Sequence, residues 1–161
     1  MQILIYGYGN PGRQDDGLGI ELTKRLEEWA ADKGLEGLEF ENNYQLNIED
    51  AEAISDKDLV IFADASEEDI EDFCLSKVDS KAKLSFTTHA ASPGYIVKLC
   101  KELFNKEPQV LLMHLKGYEW EFREGLSEKA KANLDGAFNY MTGILENPEI
   151  AMKSAKELKF C

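Results

Sequence analysis

Two aspartates and a histidine stand at comparable places in this chain. Asp16 follows the apolar run Ile3-Leu4-Ile5-Tyr6 across a glycine-rich turn. Asp64 ends the run Asp58-Leu59-Val60-Ile61-Phe62-Ala63-Asp64, and His89 precedes the pair Ser92-Pro93. Brought to one end of a sheet, two carboxylates and an imidazole would hold a divalent transition metal. The imidazole suits nickel or zinc, and the carboxylates add charge and hard oxygens. Asp16 or Asp64 could also act as a general base. Each residue has an ordinary structural reading as well. Asp16 could cap a helix, Asp64 could cap a turn, and His89 could be an exposed loop histidine.

Other chemistries have weaker support. Gly7-x-Gly9-x-x-Gly12 follows a strand and precedes a helix, as a dinucleotide fingerprint does. Against it, Asp15 and Asp16 would set two negative charges near a pyrophosphate, and Pro11 removes a backbone donor. Ser66, Ser85 and Ser92 lie near Asp64 or His89, but none sits in a G-x-S-x-G elbow. No H-E-x-x-H segment occurs. His114 lies inside an apolar run and reads as a core histidine with a local partner.

The elements that must position these residues follow from hydrophobic periodicity. A strand is expected over Gln2 to Tyr6 and a helix over Gly17 to Ala31, where Leu18, Leu22, Leu26 and Trp29 form one stripe. Leu38 to Glu41 alternates as a half-exposed strand does. A short helix runs from Asn47 through Ile54, with Asp50 placed as in a capping box. Asp58 to Asp64 and Val110 to Leu115 read as buried central strands. Leu84 to Thr88 reads as a weaker strand, antiparallel at an edge. Glu67 to Asp72 is an acidic surface stretch. Ser92-Pro93 opens one helix, Leu126-Ser127 opens another, and a short terminal helix follows Pro148. The order predicts a three-layer α/β/α sandwich on a mostly parallel, mixed sheet of about five strands. With 161 residues, one domain spanning 1-161 is expected.

Composition narrows the function classes. The net charge of −13 repels nucleic acid and anionic membrane, so neither is an expected partner. No window holds enough uninterrupted apolar residues to span a bilayer. The three cysteines, Cys74, Cys100 and Cys161, form no C-x-x-C pair, which argues against a cysteine zinc site and a disulfide framework. The chain opens on a strand rather than a signal-peptide pattern, so the expected compartment is the cytoplasm.

Gly7-Tyr8-Gly9-Asn10 followed by Asp15-Asp16-Gly17-Leu18-Gly19 resembles the opening motif of the hydrogenase maturation endopeptidases. Val60-Ile61-Phe62-Ala63-Asp64-Ala65 is similar to their central strand, and Thr88-His89-Ala90-Ala91-Ser92-Pro93 to their histidine segment. The resemblance covers Met1 to about Leu145. It implies an enzyme that removes a C-terminal extension from the precursor of a nickel-containing hydrogenase large subunit once nickel is installed. Asp16, Asp64 and His89 fall on the positions that contact this nickel, which the substrate supplies. No tightly bound organic cofactor is implied. Asn10 and Gln45 are candidates for gripping substrate backbone. Asn43-Tyr44-Gln45-Leu46 stands where many members have an Asp-Gly-Gly type motif. With Gly117-Tyr118-Glu119-Trp120, it resembles the subgroup that processes bidirectional, NAD-linked hydrogenases. A dinucleotide-binding module through Gly7, Gly9 and Gly12, or a non-catalytic nickel-delivery protein, remains the alternative.

Overall fold

The computed structural model describes residues 1–78 and 91–157. Five strands form one mixed sheet: β1 (Ile3–Tyr8), β2 (Leu38–Asn43), β3 (Leu59–Ser66), β4 (Phe73–Lys77) and β5 (Gln109–Lys116), in spatial order β2-β1-β3-β5-β4. The first four in that order run parallel, and β4 pairs antiparallel with β5. The expected three-layer sandwich on a mostly parallel sheet is the fold observed.

Alternation along the strands separates two cores. Ile3, Ile5, Leu59, Ile61, Leu111 and Met113 face α1 (Leu18–Lys33), α4 (Glu128–Leu145) and α5 (Pro148–Glu157). Leu4, Tyr6, Val60, Phe62 and Val110 face α2 (Asp50–Ile54) and α3 (Pro93–Phe104). β3 contributes to both cores, so its side chains from Leu59 to Ala63 are all buried. That double burial explains its continuous apolar run. Each of the four larger side chains, Leu59 to Phe62, contributes about 1.5–3 kcal/mol when taken fully from water.

The helix signals are physical caps. The Ser92 hydroxyl accepts from the Tyr95 N–H at 3.2 Å, with Pro93 in the first turn of α3. The Ser127 hydroxyl accepts from the Ala130 N–H at 3.3 Å and starts α4. At α2 the Asp50 carboxylate accepts from the Asn47 N–H at 2.7 Å, the return leg of a capping box. The helix itself begins only at Asp50, with no side-chain cap at its N-terminus, and the Asn47 side-chain amide donates back to the Gln45 carbonyl at 3.5 Å.

The antiparallel edge of the described sheet is β4, just after the acidic stretch. The edge strand expected over Leu84 to Thr88 lies outside the described residues. Cys74 on β4 is disulfide-bonded, although the cysteine spacing argued against a disulfide framework, whereas Cys100 is a free, buried thiol. No helix among the described residues is long and apolar enough to cross a membrane.

Candidate active site

The carboxyl ends of β1 and β3 lie side by side, with Gly7 paired to Ala63. Neighbouring parallel strands open a crevice at this end of an α/β sheet. Between β1 and α1 the chain makes a turn through Asn10 to Arg13 and a 3-10 helix, Gln14–Gly17. The Asn10 side-chain oxygen accepts from the Gly12 N–H at 2.9 Å, and its carbonyl accepts from the Arg13 N–H at 3.0 Å. Its own N–H donates to the Asp16 carboxylate at 2.8 Å. Asp16 is thereby held against the tip of β1.

Two glycines allow this turn to sit so close to the sheet. Gly9 has φ +139°, and a Cβ there would lie 2.1 Å from the Asp16 carbonyl oxygen. A Cβ on Gly19 would lie 2.1 Å from the Ala63 carbonyl oxygen and 3.1 Å from the Asp64 nitrogen. The first turn of α1 therefore packs backbone to backbone on β3 beside Asp64.

Asp64 is half-buried and lies on the same face of β3 as Val60 and Phe62. Its pKa is pushed up to about 7, first by burial and next by the negative charge of Asp16. A hydrogen bond from the Tyr8 hydroxyl and one from the Ala65 N–H act in the opposite direction. Tyr8 is packed edge-on against Phe62, with ring centroids 6.3 Å apart. Burial and the Asp64 charge raise the Tyr8 pKa, so the phenol keeps its proton and donates. The structure thus brings Asp16 and Asp64 within electrostatic reach at the end of β3, with a phenol donor beside them.

The other sequence-predicted residues fall as follows. His89 lies outside the described residues. Among the described residues no three histidine, cysteine or acidic side chains form a metal-sized group. Ala91, two residues after His89, donates its N–H to the Leu46 carbonyl at 3.3 Å. Gln45, next to Leu46, is half-buried just beyond the carboxyl end of β2. Asn43 at that strand end accepts from the Gly9 N–H at 3.1 Å. Asn10, Asp16, Gln45, Asp64 and Ala91 therefore all belong to segments at the carboxyl end of the sheet. His114 pairs in register with Asp64 on β5, and its Nε2 lies 3.0 Å from the Ser76 hydroxyl. Burial lowers its pKa, in keeping with a neutral core histidine.

The sequence reading missed the residue that holds the site's framework. Asp15 is fully buried. One carboxylate oxygen accepts from the N–H groups of Tyr118 and Glu119 and from the Ser127 hydroxyl, at 2.8, 3.0 and 2.7 Å. The other accepts from the Ser127 N–H at 2.8 Å. Burial pushes the Asp15 pKa up, and these four donors outweigh it, leaving the carboxyl below its ordinary range. Gln14, in the left-handed region at φ 47°, adds a bond from the Glu121 N–H to its side-chain oxygen at 3.0 Å. The doubled aspartate carried the signal. Adjacent residues in a 3-10 helix point about a third of a turn apart. One carboxylate of the pair therefore turns inward while the other faces the crevice.

No protein-family model matches the chain. A protein of Methanocaldococcus jannaschii, provisionally named a hydrogenase maturation protease, is 28% identical over 153 residues, covering 88% of this chain and 94% of that protein. The crystal structure of the NiFe hydrogenase maturation protease HycI from Thermococcus kodakarensis superposes with a TM-score of 0.72 at 23% identity, over 91% of this chain and 93% of that one. The hydrogenase maturating endopeptidase HybD from E. coli superposes with a TM-score of 0.73 at 17% identity, again over 91% and 93%. The chain shares their fold over nearly its whole length.

Proposed function

We propose that this protein is a hydrogenase maturation endopeptidase, which removes the C-terminal extension of a nickel-containing hydrogenase large-subunit precursor in the cytoplasm. The observation that carries the reading is the meeting of Asp16 and Asp64 at the carboxyl ends of β1 and β3, where the Asp16 charge acts on the Asp64 carboxyl. The end-to-end likeness to a relative named as such a protease supports it.

In this reading nickel is part of the substrate. Asp16, Asp64 and His89 complete the coordination of an ion already held by the precursor, and so bring the scissile bond into register with the crevice. Positioning of this kind supplies on the order of 7–11 kcal/mol of a barrier in favourable cases. One carboxylate takes a proton from the water that attacks the scissile carbonyl. The same proton then passes to the leaving amine as the carbon–nitrogen bond breaks. In the free protein the Asp64 carboxyl titrates near 7, so it can give up its proton at neutral pH as the ion arrives. Asn10 has committed its side-chain oxygen to the turn, leaving its amide nitrogen to donate to substrate backbone. Gln45 is the corresponding grip from the β2 side. The finer assignment to proteases of bidirectional, NAD-linked hydrogenases rests on Asn43 to Leu46 and Gly117 to Trp120.

The packing disfavours the dinucleotide alternative. The hollow at Gly7 is filled by the Gly19 carbonyl and the Thr23 hydroxyl, and that at Gly9 by the Asp16 carbonyl. The Asn10 N–H, which would face a pyrophosphate, is spent on the Asp16 carboxylate. Mass spectrometry of the nickel-loaded precursor before and after exposure tests the proposal. Wild type should release the C-terminal peptide, and Asp64→Ala and His89→Ala should leave the precursor whole. Normal cleavage by both variants would refute their roles. Metal transfer without any change in precursor mass would establish the delivery alternative instead.

A further inference from the structure

The loop from Gly117 to Ser127 combines two properties that rarely occur together. Its backbone is fixed at several points: four hydrogen bonds end on the buried Asp15 carboxylate, the Arg13 Nε donates to the Trp120 carbonyl at 2.9 Å, and the Gln14 N–H donates to the Arg123 carbonyl at 2.9 Å. The Tyr118 hydroxyl accepts from the Asn133 amide at 2.9 Å. Yet this rigid loop displays Phe122 with 85% of its surface in solvent, the most exposed of the large apolar side chains among the described residues. The Arg13 guanidinium lies 5.5 Å from the ring centroid and braces it.

Position ties the ring to the proposed reaction. Arg13, which supports the ring, also accepts the Asp16 N–H at its carbonyl, at 3.2 Å. Phe122 is therefore separated from the crevice by one cation–π contact and one 3-10 turn. A folded protein substrate that delivers a metal ion to Asp16 covers a footprint of about 800 Å², roughly 16 Å in radius, and so spans this loop. An aromatic held in advance at low entropic cost is the kind of residue that dominates such contacts. Glu119, Glu121 and Glu124 on the same loop are exposed, as is Arg123, so the loop carries a net negative charge beyond the Arg13 that braces the ring.

We propose that Phe122 is the docking anchor for the body of the precursor, entering an apolar pocket edged by basic side chains on that partner. This inference rests on the function proposed above. Phe122 touches no reacting atom, so its contribution lies in substrate binding and not in the chemical step.

The test is cleavage kinetics of the nickel-loaded precursor with wild type, Phe122→Ala and Phe122→Tyr, alongside their thermal melts. Phe122→Ala should raise KM about tenfold with kcat and Tm unchanged, and Phe122→Tyr should restore KM. The wild-type KM should also rise with added salt, as the acidic rim is screened. An unchanged KM, or a fall in kcat alone, would overturn the proposal. So would a KM unchanged beside a lost self-association, since the ring would then serve a second copy of this chain. A wild-type protein that leaves the precursor whole would sink the proposed function and this inference together. Wild-type cleavage with unaltered kinetics in Phe122→Ala would sink the inference alone.

Discussion

Replacing Asp15 by asparagine keeps the shape of the side chain and removes its charge, which isolates what the buried carboxylate does. Asparagine has one acceptor oxygen. In its best orientation that oxygen retains the donors from Tyr118, Glu119 and the Ser127 hydroxyl, which share one oxygen in the wild type. Its amide nitrogen then faces the Ser127 N–H, donor against donor. A buried donor left without a partner costs about 1–3 kcal/mol, and a bond to a charged acceptor is worth about 1 kcal/mol more than a neutral one. Some of this is offset because the wild type bears the cost of burying a charge. The expected net loss is about 3 kcal/mol, or a fall in Tm of about 6–12 °C for a protein of this size. Urea denaturation of both proteins across a pH series measures it. The Asp15 pKa is lowered in the folded state, so its stabilisation is present above the unfolded carboxyl value of about 3.9 and is lost as pH falls through the folded value. The gap between wild type and Asp15→Asn should therefore be full at pH 7 and shrink in acid. A gap below about 0.5 kcal/mol, or one unaffected by acid, would show that the loop does not depend on this charge.

Asp64 should behave in the opposite sense. Its folded pKa is raised to about 7, so between about pH 4 and 7 the folded protein keeps a proton that the unfolded chain has released. Stability should fall as pH rises through that window and level off above it. Asp64→Asn should flatten the trend in urea midpoints, and precursor cleavage by wild type should rise through pH 7 as the carboxylate becomes available. Tyr8→Phe removes a hydroxyl that holds the Asp64 value down, so the midpoint of the cleavage profile should move to higher pH; an unmoved midpoint would count against that hydrogen bond. Gly19→Ala places a methyl 2.1 Å from the Ala63 carbonyl oxygen, forcing α1 off β3. A loss of about 3 kcal/mol in urea denaturation is expected, typical of overpacking at its upper end, and a stability equal to wild type would refute the close contact.

Particular residues separate what was legible in the chain from what was not. Leu59 to Ala63 could be read as a central strand because burial on two faces demands an unbroken apolar run, and Asp64 marks where that burial ends. Ser92-Pro93 and Ser127 were legible because a cap is a local bond between residues three apart. β4 was not, since Phe73 to Lys77 is short, follows an acidic stretch, and becomes a strand only through its pairing with β5. The two aspartates of Asp15-Asp16 look alike in the sequence. Only the arrival of Tyr118, Glu119 and Ser127 makes one a buried anchor and leaves the other at the crevice.

Local patterns by themselves determined the helix caps, the central strands and the ends at which charged residues must emerge, because these depend on neighbours a few positions away. The tertiary structure alone decided which charges meet, which carboxylate is buried and which is shared, and which aromatic is left in water. Those outcomes depend on segments about fifty to a hundred residues apart, whose approach no short stretch of sequence encodes.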